Sequence, residues 1–180
     1  MPIKILLCCF IFAGAVPVVA QPQIVNFKQL QQFLPQGDTQ GYAAGKLTGE
    51  TSTMMGFNAS WAQITYTAAS DSVSGTISIK ITDMLNIPSY MPVPSPTNGD
   101  VSRMTPTGYE RTIVYRDLRV HEIYDSAAHQ AKLQSSLAER FLVEITGDGI
   151  AGPKALYGFL DKVDLDGLRK VAQTAGAQHR

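Results

Sequence analysis

Ile77, Ile79 and Ile81 alternate with Thr76, Ser78, Lys80 and Thr82. A period of two built on β-branched residues predicts a strand with one packed face and one wet face. The same alternation returns in Arg140–Thr146, where Phe141, Val143 and Ile145 share a side, and Gly147-Asp148-Gly149 predicts a sharp end. Phe57 to Ala68, carrying Trp61, Ile64 and Tyr66, reads as a strand, although Ala59 and Ala62 would allow a helical turn. Thr112 to Arg116 and Leu118 to Tyr124 are separated by Asp117, so they form one bent strand or a tight pair. Ala127 to Glu139 stays open between helix and strand, because its helix formers leave only Leu133, Leu137 and Ala138 as an apolar stripe.

Helical spacing is confined to the two ends. Asn26 is placed to cap a short helix bearing Phe27, Leu30, Phe33 and Leu34, which Pro35 and Gly37 stop. Pro153 suits the start of a helix reaching Leu160, with Leu156, Phe159 and Leu160 inward. Asp164 then caps a last helix with Leu165, Leu168, Val171 and Ala172 on one side. Between these ends, Gly41, Gly45, Gly49 and Gly56 punctuate a Thr- and Ser-rich stretch as turns and bulges do. Residues 86–108 hold Pro88, Pro92, Pro94, Pro96 and Pro106 and read as a proline-rich loop.

These elements predict a single α+β domain over residues 21–180. It has an antiparallel sheet of about five to seven strands packed against an N-terminal helix and one or two C-terminal helices. The order of elements resembles the layout of small exported folds such as the PsbP-like one, and no motif extends that likeness to a family.

The first twenty residues follow a different pattern. Lys4 is their one charge, an apolar run extends from Ile5 to Ala15, Pro17 breaks it, and Val18-Val19-Ala20 offers small residues for cleavage. This is the layout of a secretory signal peptide cut after Ala20, and it predicts a periplasmic or secreted protein. The run is too short to span ~30 Å of hydrocarbon, and no transmembrane helix is expected in the mature chain. Ile5, Leu6 and Leu7 ahead of Cys8 do not suit the small-residue signal of a bacterial lipoprotein.

Cleavage would remove Lys4, Cys8 and Cys9, leaving a cysteine-free domain with 14 basic and 15 acidic side chains. Such a domain is held by its core alone, which suits a bacterial periplasm better than a disulfide-rich secretory route. The whole chain has 180 residues, of which 44% are hydrophobic and 17% charged, so it is too apolar for disorder. Without a basic excess it is not expected to bind nucleic acid.

Candidate chemistry is sparse. Gly147, Gly149 and Gly152 complete the string G-x-G-x-x-G, but Asp148 would repel a pyrophosphate and Pro153 follows directly. Of the three histidines His179 is terminal, and His121, Glu122 and His129 lack metal-ligand spacing. Asp161, Asp164 and Asp166 have no calcium loop around them. Neither a metal nor a cofactor is expected. Arg111, Arg116, Arg119 and Arg140 interleave with Glu110, Asp117, Glu122, Glu139 and Glu144, which predicts cross-strand pairing on a wet face.

Two functional readings remain. The first is an exported non-enzymatic module that binds a small apolar ligand or a protein partner, with Tyr90, Met91 and Val93 of the proline-rich loop as contacts. The second is a small exported hydrolase whose site assembles around His121, with Glu122 and Arg140 brought in from other strands. On one strand His121 and Glu122 would face opposite sides, so that site needs long-range convergence.

Overall fold

A computed structural model describes residues 23–54, 57–85 and 99–176. Helix α1 (Phe27–Leu30) runs into a 3-10 turn, Gln31–Phe33. The strands follow as β1 (Tyr42–Ala44), β2 (Thr48–Met54), β3 (Phe57–Ala68), β4 (Thr76–Asp83) and β5 (Ser102–Thr105). Next come β6 (Gly108–Tyr115), β7 (Leu118–Asp125), β8 (Gln130–Leu137) and β9 (Phe141–Asp148), before helices α2 (Lys154–Leu160) and α3 (Leu165–Gly176). The strands make one nine-stranded antiparallel sheet in the order β1-β3-β4-β9-β8-β7-β6-β5, with β2 also paired to β3. The architecture is strand-dominated, with a few short helices.

Nine strands exceed the five to seven expected, for three local reasons. Ala127 to Glu139 becomes a strand at Gln130–Leu137, because Ala131, Leu133, Ser135 and Leu137 are all buried on one side. Residues 42–54 divide into β1 and β2, which lie end to end along β3. The stretch expected as loop through residue 108 contains β5, since Pro106 sits in the turn of the β5–β6 hairpin and not inside a strand. Asp117 separates a tight pair: Arg116 (φ 46°) and Asp117 (φ 63°) both adopt the left-handed region, as a two-residue hairpin turn between β6 and β7 requires.

Local signals at the helices hold. Asn26 accepts the Lys28 N–H at 2.9 Å, and Asp164 accepts the Gly167 N–H at 2.8 Å ahead of α3. Leu156, Phe159 and Leu160 of α2 are buried. Helix α2 touches β8 and β9, α3 touches β8, and α1 touches β2 and β3. Their apolar sides join Ile64, Tyr66, Ile77, Ile79, Ile81, Val143 and Ile145 in one core.

Gly147 is where this packing is tightest. It occupies the buried side of β9, and a Cβ there would lie 2.3 Å from Ile150 Cδ1 and 3.0 Å from Leu156 Cδ2. The missing side chain lets Ile150 and the start of α2 close over the sheet, so Gly147-Asp148-Gly149 is a strand end and not a phosphate cradle.

Candidate functional site

His121 and Glu122 leave β7 on opposite sides. Glu122, fully buried, points to the face that carries the core. Its Oε1 accepts Arg111 Nε at 2.9 Å and Nη2 at 2.8 Å, while Oε2 accepts the Tyr157 hydroxyl of α2. His121 Nε2 lies on the other face, 2.9 Å from Glu110 Oε1. Arg140, in the turn between β8 and β9, is engaged elsewhere: Nε and Nη2 reach Asp83 at 3.1 and 2.8 Å, and Nη2 also donates to the Gln23 carbonyl at 2.8 Å. The three residues therefore have three separate sets of partners and form no shared pocket. Tyr90, Met91 and Val93 lie outside the described residues.

Of the interleaved charges only Arg111 and Glu122 pair with each other across strands, whereas Arg116, Arg119 and Arg140 reach Asp161, Asp100 and Asp83 instead. Asp83 and Arg140 are both buried, and the Asp83 carboxylate also takes the Val25 and Leu85 N–H groups at 2.8 and 3.0 Å. That pair fastens the start of the domain to the ends of β4 and β9. Arg111 and Glu122 face each other across β6 and β7 under the edge of α2. Burial opposes the Arg111 charge, yet the Glu122 carboxylate more than offsets it and strengthens the guanidinium's hold on its proton. Burial and the same carboxylate push Tyr109 up to about 12 and hold Tyr157 far above the ordinary tyrosine range. The Arg111 guanidinium stacks 4.7 Å from the Tyr109 ring, and Tyr157 packs 4.7 Å from Tyr115. A buried carboxylate held by Arg111 and Tyr157 beside two neutral tyrosines is built for rigidity.

The face opposite the helices has a different chemistry. Register aligns its side chains into rows across the sheet. One row runs Gln63, Lys80, Glu144, Gln134, His121 and Thr112 over β3, β4, β9, β8, β7 and β6. Within it Gln134 donates to Glu144 at 2.8 Å, Lys132 of the next row reaches Glu144 at 3.0 Å, and Lys80 lies 5.1 Å from the Trp61 ring. Leu142 and Gln134 on this face are buried, whereas Thr146, Asp148 and Gln130 are exposed.

At that exposed end lies a groove of about 550 Å³. Two rows floor it: Ser78, Thr146, Lys132 and Ile123, then Thr76, Asp148, Gln130 and Asp125. Hydroxyls, an amide, two carboxylates and the Lys132 ammonium line one trough, together with apolar surface that includes Ile123 and Ala131. Asp125 accepts the Ala127 and Ala128 N–H groups at 2.9 and 3.1 Å, and the Ala128 bond in particular holds its carboxyl below the usual range. Gln130 donates to Asp148 at 3.2 Å. The groove's two aspartates and one lysine, itself paired to Glu144, suit an uncharged or cationic polar ligand better than an anion.

Among the described residues no group of three or more His, Cys, Asp or Glu could hold a metal ion, and no helix is long and apolar enough to cross a membrane. Asp161 is taken up by Tyr115 and Arg116, and Asp166 by Arg169. No family model matches the chain, and no curated protein or solved structure does either.

The groove residues escaped sequence reasoning, although one signal was available. The polar half of the alternating strands β4 and β9 is rich in Thr and Ser, with Thr76, Ser78 and Thr146, and the stretch left open between helix and strand holds Gln130 and Gln134.

Proposed function

We propose that the chain is an exported, non-enzymatic binding module whose open sheet face carries the recognition surface. The observation that supports this reading is the contrast around the groove. Polar side chains of four adjacent strands meet in a trough of about 550 Å³, while His121, Glu122 and Arg140 are each engaged in a separate internal pair. His121 and Glu122 leave β7 on opposite faces, and Glu122 is held between Arg111 and Tyr157, so these residues do not act on one substrate together, which weighs against the hydrolase reading.

The ligand the groove favours is polar and hydrogen-bonding, such as a glycan or a peptide main chain, in place of the small apolar molecule expected at Tyr90, Met91 and Val93 of the proline-rich loop. Hydroxyl and amide side chains fix such ligands by direct bonds, and Ile123 offers a face for a ring or a methylene run. Export rests on the signal-like segment 1–20, which lies outside the described residues.

Native mass spectrometry of the protein recovered from the periplasm of cells expressing the full chain tests both halves. The processed mass should match cleavage after Ala20, and a polar adduct or a stoichiometric partner should remain bound. Thr146→Arg, which fills the groove from an exposed position, should remove the adduct without moving the melting temperature. Retention of the adduct by that variant would remove the groove from consideration.

A further inference from the structure

A second cleft, of about 460 Å³, lies on the helix-bearing side of the sheet. There the β3–β4 turn, residues 69–75, faces the stretch 149–155 that leads into α2. Its floor is buried and largely apolar: Tyr42 and Ile150 are 4% and 2% exposed, and Val73 and Ala155 continue the lining. The Tyr42 hydroxyl donates to the Ser74 carbonyl at 2.9 Å, and the Ser74 hydroxyl donates to the Gly149 carbonyl at 2.8 Å. These bonds tie one wall to the floor and to the other wall, so a ligand would spend little on ordering the cleft.

The two walls carry opposite charges. Asp71 stands on the turn and Lys154 is the first residue of α2; both line the cleft and both are exposed. Neither belongs to an ion pair among the described residues. The smaller cleft beside α3 differs in this respect, since its Arg116 and Arg169 are already bound to Asp161 and Asp166. Either charge alone would be an ordinary solvated surface group. Placed on opposite walls of an apolar floor, they offer an acceptor for an ammonium, a donor for a carboxylate, and a bed for a hydrocarbon side chain.

We infer that this cleft takes a zwitterion with an apolar side chain, a free amino acid or a short peptide. Its ammonium lies at Asp71, its carboxylate at Lys154, and its side chain against Tyr42, Val73 and Ile150. Single exposed ion pairs are weak, but two pairs acting on one molecule reinforce each other, and burial of the side chain adds to both. The inference does not rest on the polar groove, which opens on the other face of the sheet.

Isothermal titration of the purified, dialysed protein with L-leucine and with L-leucyl-L-leucine tests it. Binding of the first alone identifies a free amino acid as the ligand, and binding of the second alone a peptide. N-acetyl-L-leucine lacks the ammonium and L-leucinamide lacks the carboxylate, so each should bind about fivefold more weakly than leucine, the factor of one exposed ion pair. Lys154→Gln should weaken leucine by a similar factor and leave leucinamide unchanged. Asp71→Asn should weaken leucine and leave N-acetyl-leucine unchanged. Gly152 lines the cleft outside the left-handed region, and a Cβ there would meet nothing within 4 Å, so Gly152→Trp should fill the space and abolish binding at an unchanged melting temperature. Absence of binding by both zwitterions at millimolar concentration overturns the inference. So do analogues that bind as tightly as leucine, or a Gly152→Trp variant that still binds.

Discussion

Arg140–Asp83 and Lys132–Glu144 are ion pairs of similar length, 2.8 and 3.0 Å, that differ in exposure within one sheet. The first is sealed: the arginine and aspartate side chains are 6% and 0% exposed, and the aspartate takes two backbone N–H groups besides. The second lies on the open face, with 34% and 20% of its side chains exposed. The same contact distance thus has two meanings. Where water is excluded, either partner left alone would be a stranded charge, so the pair locks the fold. Where water has access, solvent screens the pair and leaves its side chains available to a ligand.

The largest effect expected from breaking this comparison is at the sealed pair. Arg140→Ala should cost about 3–5 kcal/mol in a urea titration, because it strands Asp83 and frees Gln23. A double change, Arg140→Met with Asp83→Leu, should recover most of that loss, and a double variant as unstable as the single one would show that the backbone bonds to Asp83 matter more than the charges. Gly147→Ala comes next, at about 1–3 kcal/mol, since its Cβ would have to displace Ile150 or Leu156.

Tyr157→Phe tests the second buried carboxylate. It removes the hydroxyl that donates to Glu122 Oε2 and should cost about 1–3 kcal/mol. The same cluster makes stability fall in alkali. Tyr109 is raised in the folded protein from 10.0 to about 12, so its native neutral form contributes fully below pH 10. That contribution is lost as the pH rises towards about 12, because the unfolded chain ionises first. The melting temperature should therefore decline across this window, and less steeply in Tyr109→Phe. A profile unchanged by that substitution would separate Tyr109 from the Glu122 cluster.

The smallest effect belongs to the open face. Lys132→Ala should change stability by less than about 1 kcal/mol. A large loss there would mean that the second face is as structural as the first and would weaken its assignment to binding.

Particular residues show what was legible in advance. Ile77, Ile79 and Ile81 marked β4 and its packed side, and Asn26 and Asp164 marked helix starts, because alternation and capping need only a few neighbouring residues. Gln130–Leu137 was harder. Its buried side includes Ala131 and Ser135, small residues that leave no apolar stripe, and only pairing with β7 and β9 makes them core. β5 was hidden by the prolines before it and by Pro106 after it, since four exposed residues carry no pattern of their own.

For the site the limit was sharper. That His121 and Glu122 diverge follows from the strand period alone. That Glu122 is the buried member depends on where α2 lies, and Tyr157 is 35 residues away from it.

Alternation, turns and caps along the chain thus determined an antiparallel sheet with a few short helices. Tertiary structure decided which charges are sealed and which polar rows form a groove. Asp83 meets Arg140 across 57 residues, and Thr76 meets Asp148 only because β4 pairs with β9. Strand period is set by the backbone of each residue. Partners across a sheet are set by strand order and register, which the chain adopts only when distant apolar faces are buried together.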